Sequence, residues 1–200
     1  STRGGAAAPA SFRLPHVLTG HEDLLLVADA GDHRILGWSP PPDADRDADL
    51  VLGQADFTTA DEWPYGPHTN DRFRFPYAVC LDAGGQERSD SGIDTGGQER
   101  SDSGIDTGGQ ERSDSGIDTA GRLAVADTAN NRVLLWDEVP VDGRGADHVL
   151  AQPDFGSNGE NRWTSVQRDT LCWPYGLSMR GDTLAVADSG NNRVMVWKQR

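Results

Sequence analysis

Long apolar runs are missing from this 200-residue chain: no stretch of 18 apolar residues occurs, so nothing in it reads as a membrane-spanning helix. Sustained helical periodicity is missing too, which sets the all-helical classes aside. Positive charge is scarce. The 18 Lys and Arg stand against 32 Asp and Glu, a net charge of −14, and a surface of that sign repels phosphate backbones and anionic lipid. Neither nucleic acid nor a membrane is therefore the expected partner. Cysteine is limited to Cys80 and Cys172. The opening STRGGAAAPA has no apolar core of signal-peptide length and no initiator Met, which leaves open an upstream segment removed by processing or truncation.

What the chain does have is a repeat. LLLVADAGDHRILGW at 24–38 is matched by LAVADTANNRVLLW at 123–136 and LAVADSGNNRVMVW at 184–197. Asp29 and Asp127 lie 98 residues apart, Asp127 and Asp188 only 61. The excess is explained by GGQERSDSGIDT, which fills 84–95 and recurs unchanged at 96–107 and 108–119. Without those 36 residues both spacings agree on a module of about 61 residues. Other landmarks hold the same register. Arg34, Arg132 and Arg193 each follow their Asp by five residues, and Trp38, Trp136 and Trp197 follow each Arg by four. VLGQADF at 51–57 returns as VLAQPDF at 149–155, and LPHVL, FPYAV and WPYGL open the modules at Pro15, Pro76 and Pro174.

Within a module the apolar runs are short, rich in Val and Leu, and broken by turn residues. LAVAD, then NN, then RVLLW reads as a hairpin of two five-residue strands. With the proline-led segment before it and the V-L-x-Q segment after it, a module holds four strands. Tandem four-stranded units, none able to bury both faces alone, are expected to stack as blades of a β-propeller. The expected organisation is a flexible stretch at 1–10, a first blade with its long loop at 11–74, a second at 75–172 carrying a disordered insert at 84–119, and an incomplete third at 173–200. Propellers close with roughly four to eight blades, so the chain is expected to be part of a longer propeller or one half of a homodimeric ring. Cys80 sits four residues after its module proline and Cys172 two before, an offset of roughly 20 Å on equivalent strands and far beyond disulfide reach. Free, mostly buried thiols are expected, and with them a reducing, cytoplasmic setting.

The segment WPYGL at 173–177, LAVADSGNNRVMVW and its two sister copies resemble NHL repeats, whose pattern runs from a proline-led inner strand through V-A-D to an Asn-His-Arg or Asn-Asn-Arg turn. The resemblance covers Phe12 to Trp197, and the V-L-G-Q spacer is similar to a long-looped bacterial-type variant. It implies an NHL-type propeller and no particular function. Propeller-shaped peptidyl-hydroxyglycine amidating lyases share that architecture and hold a metal through histidines of several blades, some in Pro-His pairs. Pro15-His16 looks like one such pair, but the equivalent positions hold Tyr77 and Tyr175, and His21, His68 and His148 stand at unrelated module positions. A catalytic zinc normally needs three protein ligands, so a metal-dependent lyase or hydrolase built on His16 is the weaker alternative, and no metal or cofactor is assigned.

Once-per-module Asp29, Asp127 and Asp188, with Arg34, Arg132 and Arg193, suit a scaffold role. The Asp is expected to accept from the N–H groups of the following turn and the Arg to pair with a carboxylate of its own or a neighbouring blade. His33 takes the place of Asn131 and Asn192 and is read as a turn residue. The three Trp residues at the hairpin ends are expected in the core or between blades. His16, Tyr77 and Tyr175, each following a module proline, are expected to converge at the mouth of the central channel. Two long loops each set the next module proline 20 positions after their DF aspartate, Asp56 or Asp154. Their aromatic residues Trp63, Tyr65, His68 and Trp163 either anchor a protein partner or cover blade edges. A non-catalytic scaffold that binds a protein, or a small ligand, through these loops is the expected function.

Each 12-residue copy has one large aliphatic residue, Ile, and a net charge of −2. Too little apolar surface is present to offset the entropy of ordering it. Lengthening a surface loop costs little closure entropy, so the insert is read as a tolerated duplication. Deleting residues 84–119 is expected to leave the melting temperature and partner binding almost unchanged. A loss of several degrees, or of binding, contradicts that reading.

Overall fold

The computed structural model describes residues 6–62, 68–82 and 121–198. Trp63, Tyr65 and the 84–119 insert, with the disorder expected of it, lie outside the described residues.

Every strand pairing is antiparallel and sequential, as hairpin-linked short strands require. The first sheet has the order β1 (Pro15–His21), β2 (Leu24–Asp29), β3 (Arg34–Trp38), β4 (Leu50–Leu52). The second repeats it with β5 (Pro76–Asp82), β6 (Arg122–Asp127), β7 (Arg132–Trp136) and β8 (His148–Leu150). The third has β9 (Pro174–Arg180), β10 (Thr183–Asp188) and β11 (Arg193–Lys198). The first strands lie side by side, β1 against β5 and β5 against β9, in a propeller-like arrangement. Among the described residues the three sheets do not close a ring.

The middle strands are apolar on both faces because the second sheet is sandwiched. Towards the first sheet, Val79, Leu123, Val125, Leu134 and Trp136 pack with Leu26, Ala28, Ile35 and Leu50. Towards the third, Cys80, Ala124 and Val133 pack with Leu184 and Val186 and with the half-buried Met179, Met195 and Trp197. Each fully buried Leu, Ile or Val contributes roughly 1.5–3 kcal/mol, so the intersheet seams carry most of the favourable energy. Trp136 is buried edge-on against Phe73 and donates its Nε1–H to the Arg144 carbonyl at 3.0 Å.

The hairpins turn through one 3₁₀ turn followed by a left-handed residue: His33 at φ 55°, Asn131 at φ 53° and Asn192 at φ 54°. Asn and His enter that region more readily than most side chains, which explains the residue types at this position. The insert falls between β5 and β6, whose last pair, Asp82 opposite Arg122, is joined by a 2.8 Å ion pair. The sheet keeps the order and register of its neighbour across the insertion. Both thiols are free, Cys80 buried and Cys172 half-buried, and burial pushes the Cys80 thiol up to about 12. No described helix is long and apolar enough to cross a membrane.

Candidate functional site

The repeated Asp acts on a different partner from the one its position before the turn implies. Asp29 Oδ1 accepts from the backbone N–H of Arg13 at 2.7 Å, Asp127 Oδ1 from that of Arg74 at 2.7 Å and Asp188 Oδ1 from that of Cys172 at 2.7 Å. Each donor lies two residues before a module proline, so the carboxylate pins the approach to an inner strand; the turn that follows reaches it through the side-chain amides of Asn130, at 2.9 Å from Asp127, and Asn191, at 2.8 Å from Asp188, and not through the backbone N–H groups expected from the sequence. The other oxygen binds the Arg of the same sheet, at 3.0 Å for Arg34 and 2.7 Å for Arg132 and Arg193. The guanidinium then gathers loop carbonyls: those of Phe57, Ala8 and Ser11 on Arg34, and of Phe155, Thr69 and Arg72 on Arg132. Burial pushes the Asp29 carboxyl up to about 6, against the lowering effect of the Arg13 N–H and the Arg34 guanidinium. These six residues are framework, and the site is hung on what they hold.

Three bulges aim the side chains after the prolines. Pro15 pairs with Asp29 but Val17 with Ala28, Pro76 with Asp127 but Ala78 with Ala126, and Pro174 with Asp188 but Gly176 with Ala187. The extra residue is in turn His16, Tyr77 and Tyr175. A bulge bends its strand and redirects the side chain, and here the three rings meet. His16 stands edge-on to Tyr77 with centroids 4.7 Å apart and donates from Nδ1 to the Tyr77 carbonyl at 2.9 Å. Tyr77 and Tyr175 are 5.0 Å apart. The residues before the prolines extend the row: Phe75 stacks on Tyr77 at 6.4 Å and Trp173 on Tyr175 at 6.5 Å.

Phe75 and Trp173 are held by the preceding sheet. Both are left-handed, with φ 51° and 52°, an unusual state before proline. The Phe75 N–H donates to His33 Nδ1 at 3.1 Å, and the Trp173 N–H to Asn131 Oδ1 at 3.0 Å. The left-handed turn residue of one sheet thus clasps the strand entry of the next.

Trp163 arrives from the second long loop, three-quarters exposed at 76%. Asn161, Arg162 and Trp163 are consecutive left-handed residues, with φ 48°, 56° and 58°. That conformation costs about 1–2 kcal/mol for each residue, so the surroundings must impose it. Asn161 exchanges amide hydrogen bonds with Asn191 at 2.9 and 3.0 Å. Arg162 is fixed by the Ala151 carbonyl and by Asp169 at 2.7 Å. Gln152, the glutamine of V-L-x-Q, binds the Asn131 and Gly159 carbonyls at 3.0 and 2.9 Å. A Cβ on Gly159 would lie 2.6 Å from Trp163 Cδ1, so glycine makes room for the indole.

Phe75, Tyr77, Trp163 and Trp173 line a half-open cavity of about 320 Å³, joined by the polar groups of Arg74 and Glu160. Glu160 accepts from Trp173 Nε1 at 2.8 Å, and Arg74 pairs with Glu62 at 3.1 Å. His68 is withdrawn from this surface: half-buried, it accepts from Asn158 Nδ2 at 2.7 Å. Phe75, Trp173 and Glu160 were missed from the sequence, although an aromatic residue before two of three module prolines was a signal in register. For a catalytic metal the donors beside His16 do not fit: its neighbours are phenols, and no group of three His, Cys, Asp or Glu side chains gathers among the described residues. No protein-family model matches the chain, and no curated protein gives a significant match. Fold and site together define an all-β chain of three propeller-like antiparallel sheets with an aromatic face where the inner strands begin.

Burial is the main cause holding the His33 pKa below its ordinary value of 6.5, with Glu62, Asp32 and Asp127 pulling it up and Arg74 down. The neutral ring that accepts from Phe75 is therefore favoured in the folded state. Its contribution is present above pH 6.5 and is lost as pH falls towards the lowered folded value. His33→Asn keeps the left-handed residue and the acceptor without the titration. The variant is expected to match the parent at pH 7.5 and to lose less stability than the parent on acidification below pH 6.5 in urea titrations. Asp29, whose raised pKa acts in the opposite sense, is common to both proteins and cancels. Parallel pH profiles contradict the clasp.

Proposed function

We propose that this chain is a non-catalytic, NHL-type propeller scaffold that binds a partner protein, or a small ligand, on the aromatic face formed by Phe75, Tyr77, Trp163, Trp173 and Tyr175. The observation that carries the reading is Trp163, exposed on three successive left-handed residues whose flanking side chains are fully engaged. Strain of that kind persists only where the surroundings over-determine it, and such sites cluster where proteins bind or react. Large aromatic residues beside one Arg and one Glu match the composition of interface anchors. The acidic balance of the chain favours a partner surface that is neutral or basic where it surrounds the contact.

Peptides selected by phage display against the full chain provide the test. Trp163→Ala, which leaves every hydrogen bond of the loop in place, is expected to weaken the selected peptides roughly thirtyfold, as an aromatic anchor worth about 2 kcal/mol requires. Its melting temperature should stay within a few degrees of the parent. Peptides that bind the variant as tightly as the parent place the binding surface elsewhere.

A further inference from the structure

The half-open cavity of about 320 Å³ is built as a cage. Every residue lining it lies between Arg74 and Trp173, so its walls come from the entry of β5, the turn after β6, the second long loop and the entry of β9. Four of those residues are aromatic: Phe75, Tyr77, Trp163 and Trp173. The rings are held in place from behind. His33 and Asn131 clasp Phe75 and Trp173, Glu160 ties Trp173 a second time through its Nε1–H, and Trp163 stands on the loop that Asn161 and Arg162 fix. Rings positioned in advance leave little ordering cost for a ligand to meet.

The polar lining is largely committed. Asn131 accepts from the Trp173 N–H and donates to the Asn158 carbonyl at 3.0 Å, Asn158 gives its side-chain amide to His68, and Arg74 is paired with Glu62. Glu160 is the exception. One of its oxygens takes the Trp173 Nε1–H at 2.8 Å, and the other accepts no hydrogen bond among the described residues. With Glu62 offsetting Arg74, this carboxylate gives the cavity an excess of negative charge, in a chain whose net charge is already −14. What the cavity offers a ligand is chiefly π-faces and one carboxylate.

We infer that this cavity binds a methylated ammonium group, carried by a trimethyl-lysine of a partner protein or by a small choline-like molecule; the inference rests on the aromatic face being the binding surface. The negative face of an aromatic ring attracts a cation within about 6 Å of its centroid, tryptophan most strongly, and two of the four rings are tryptophan. An unmodified ammonium is a compact, strongly hydrated charge that parts from water reluctantly. Methyl groups replace its N–H donors with apolar surface that packs on the rings. The volume lies near the lower end of the roughly 300–1,000 Å³ of ligand cavities, which suits a head of that size and not a folded element. Exposed Glu160 adds attraction without leaving a buried carboxylate unpaired.

Calorimetric titration of the full chain tests this with two pairs of probes: choline against its neutral isostere, in which carbon replaces the nitrogen, and a short neutral peptide in its trimethyl-lysine and unmodified forms. Each cation is expected to bind about tenfold more tightly than its control. Trp163→Ala should abolish that preference. Glu160→Gln, which keeps an acceptor for the Trp173 Nε1–H, should weaken the cations several-fold and leave the isostere unchanged. Circular dichroism of both variants should match the parent. The tighter of the two cations identifies the carrier, a modified protein or a small molecule. Neither cation binding better than its control overturns the proposal, and so does cation binding that Trp163→Ala leaves untouched. Selected peptides that still depend on Trp163 would then leave the aromatic-face reading standing without this one.

Discussion

The Asp–Arg pair of each sheet, fully buried in the first two and with a part-exposed Arg193 in the third, is the constraint on which the rest depends. One carboxylate oxygen holds the backbone two residues before the inner strand and the other holds the guanidinium, which gathers carbonyls from the segment before the strand. On Arg34 and Arg132 it also takes a carbonyl from the loop after the fourth strand. Three stretches far apart in sequence meet on one ion pair. Taking both charges out of water costs several kcal/mol, so the pair adds little net stability over an apolar replacement. Removing one partner, however, strands the other, at a cost of about 3–5 kcal/mol. What the pair supplies is position: the strand entry, and with it the bulged residue, is set to the same place in every sheet.

That placement leads to the site through short steps. A fixed entry puts Phe75 and Trp173, the residues before the second and third module prolines, against the turn of the preceding sheet, where His33 and Asn131 accept their N–H groups. The bulge then turns the next residue into the row of His16, Tyr77 and Tyr175. Gln152, reaching from the end of β8 to the Asn131 and Gly159 carbonyls, ties the second long loop to the same turn. Seam, clasp and loop anchor therefore share one residue, Asn131.

Much of the scaffold was legible because it repeats. The spacing of Asp, Arg and Trp and the module prolines located the strands, the hairpin turns and the position of the 12-residue copies between two strands. The meeting of His16, Tyr77 and Tyr175 was legible for the same reason, since equivalent positions lie at equal depth. What was not legible depends on pairing between modules. Nothing in D-x-x-x-x-R shows that the Asp reaches back to Arg13, Arg74 or Cys172, because a residue before a turn looks locally like a cap for that turn. The bulges need the register of the partner strand. The left-handed run at Asn161–Trp163 contains no glycine, so its own residues do not announce it, and tertiary hydrogen bonds impose it.

Hydrogen exchange of individual amides tests the central claim most directly. The account predicts that the N–H groups of Arg13, Arg74 and Cys172, in segments with no strand of their own, exchange as slowly as the core amides of Val125 and Leu134. Their bonds to buried carboxylates open only when the sheets come apart. Exchange at the rate of the surrounding loops would contradict it: the Asp–Arg pairs would then not hold the strand entries, and the aromatic face would have to be positioned by something else.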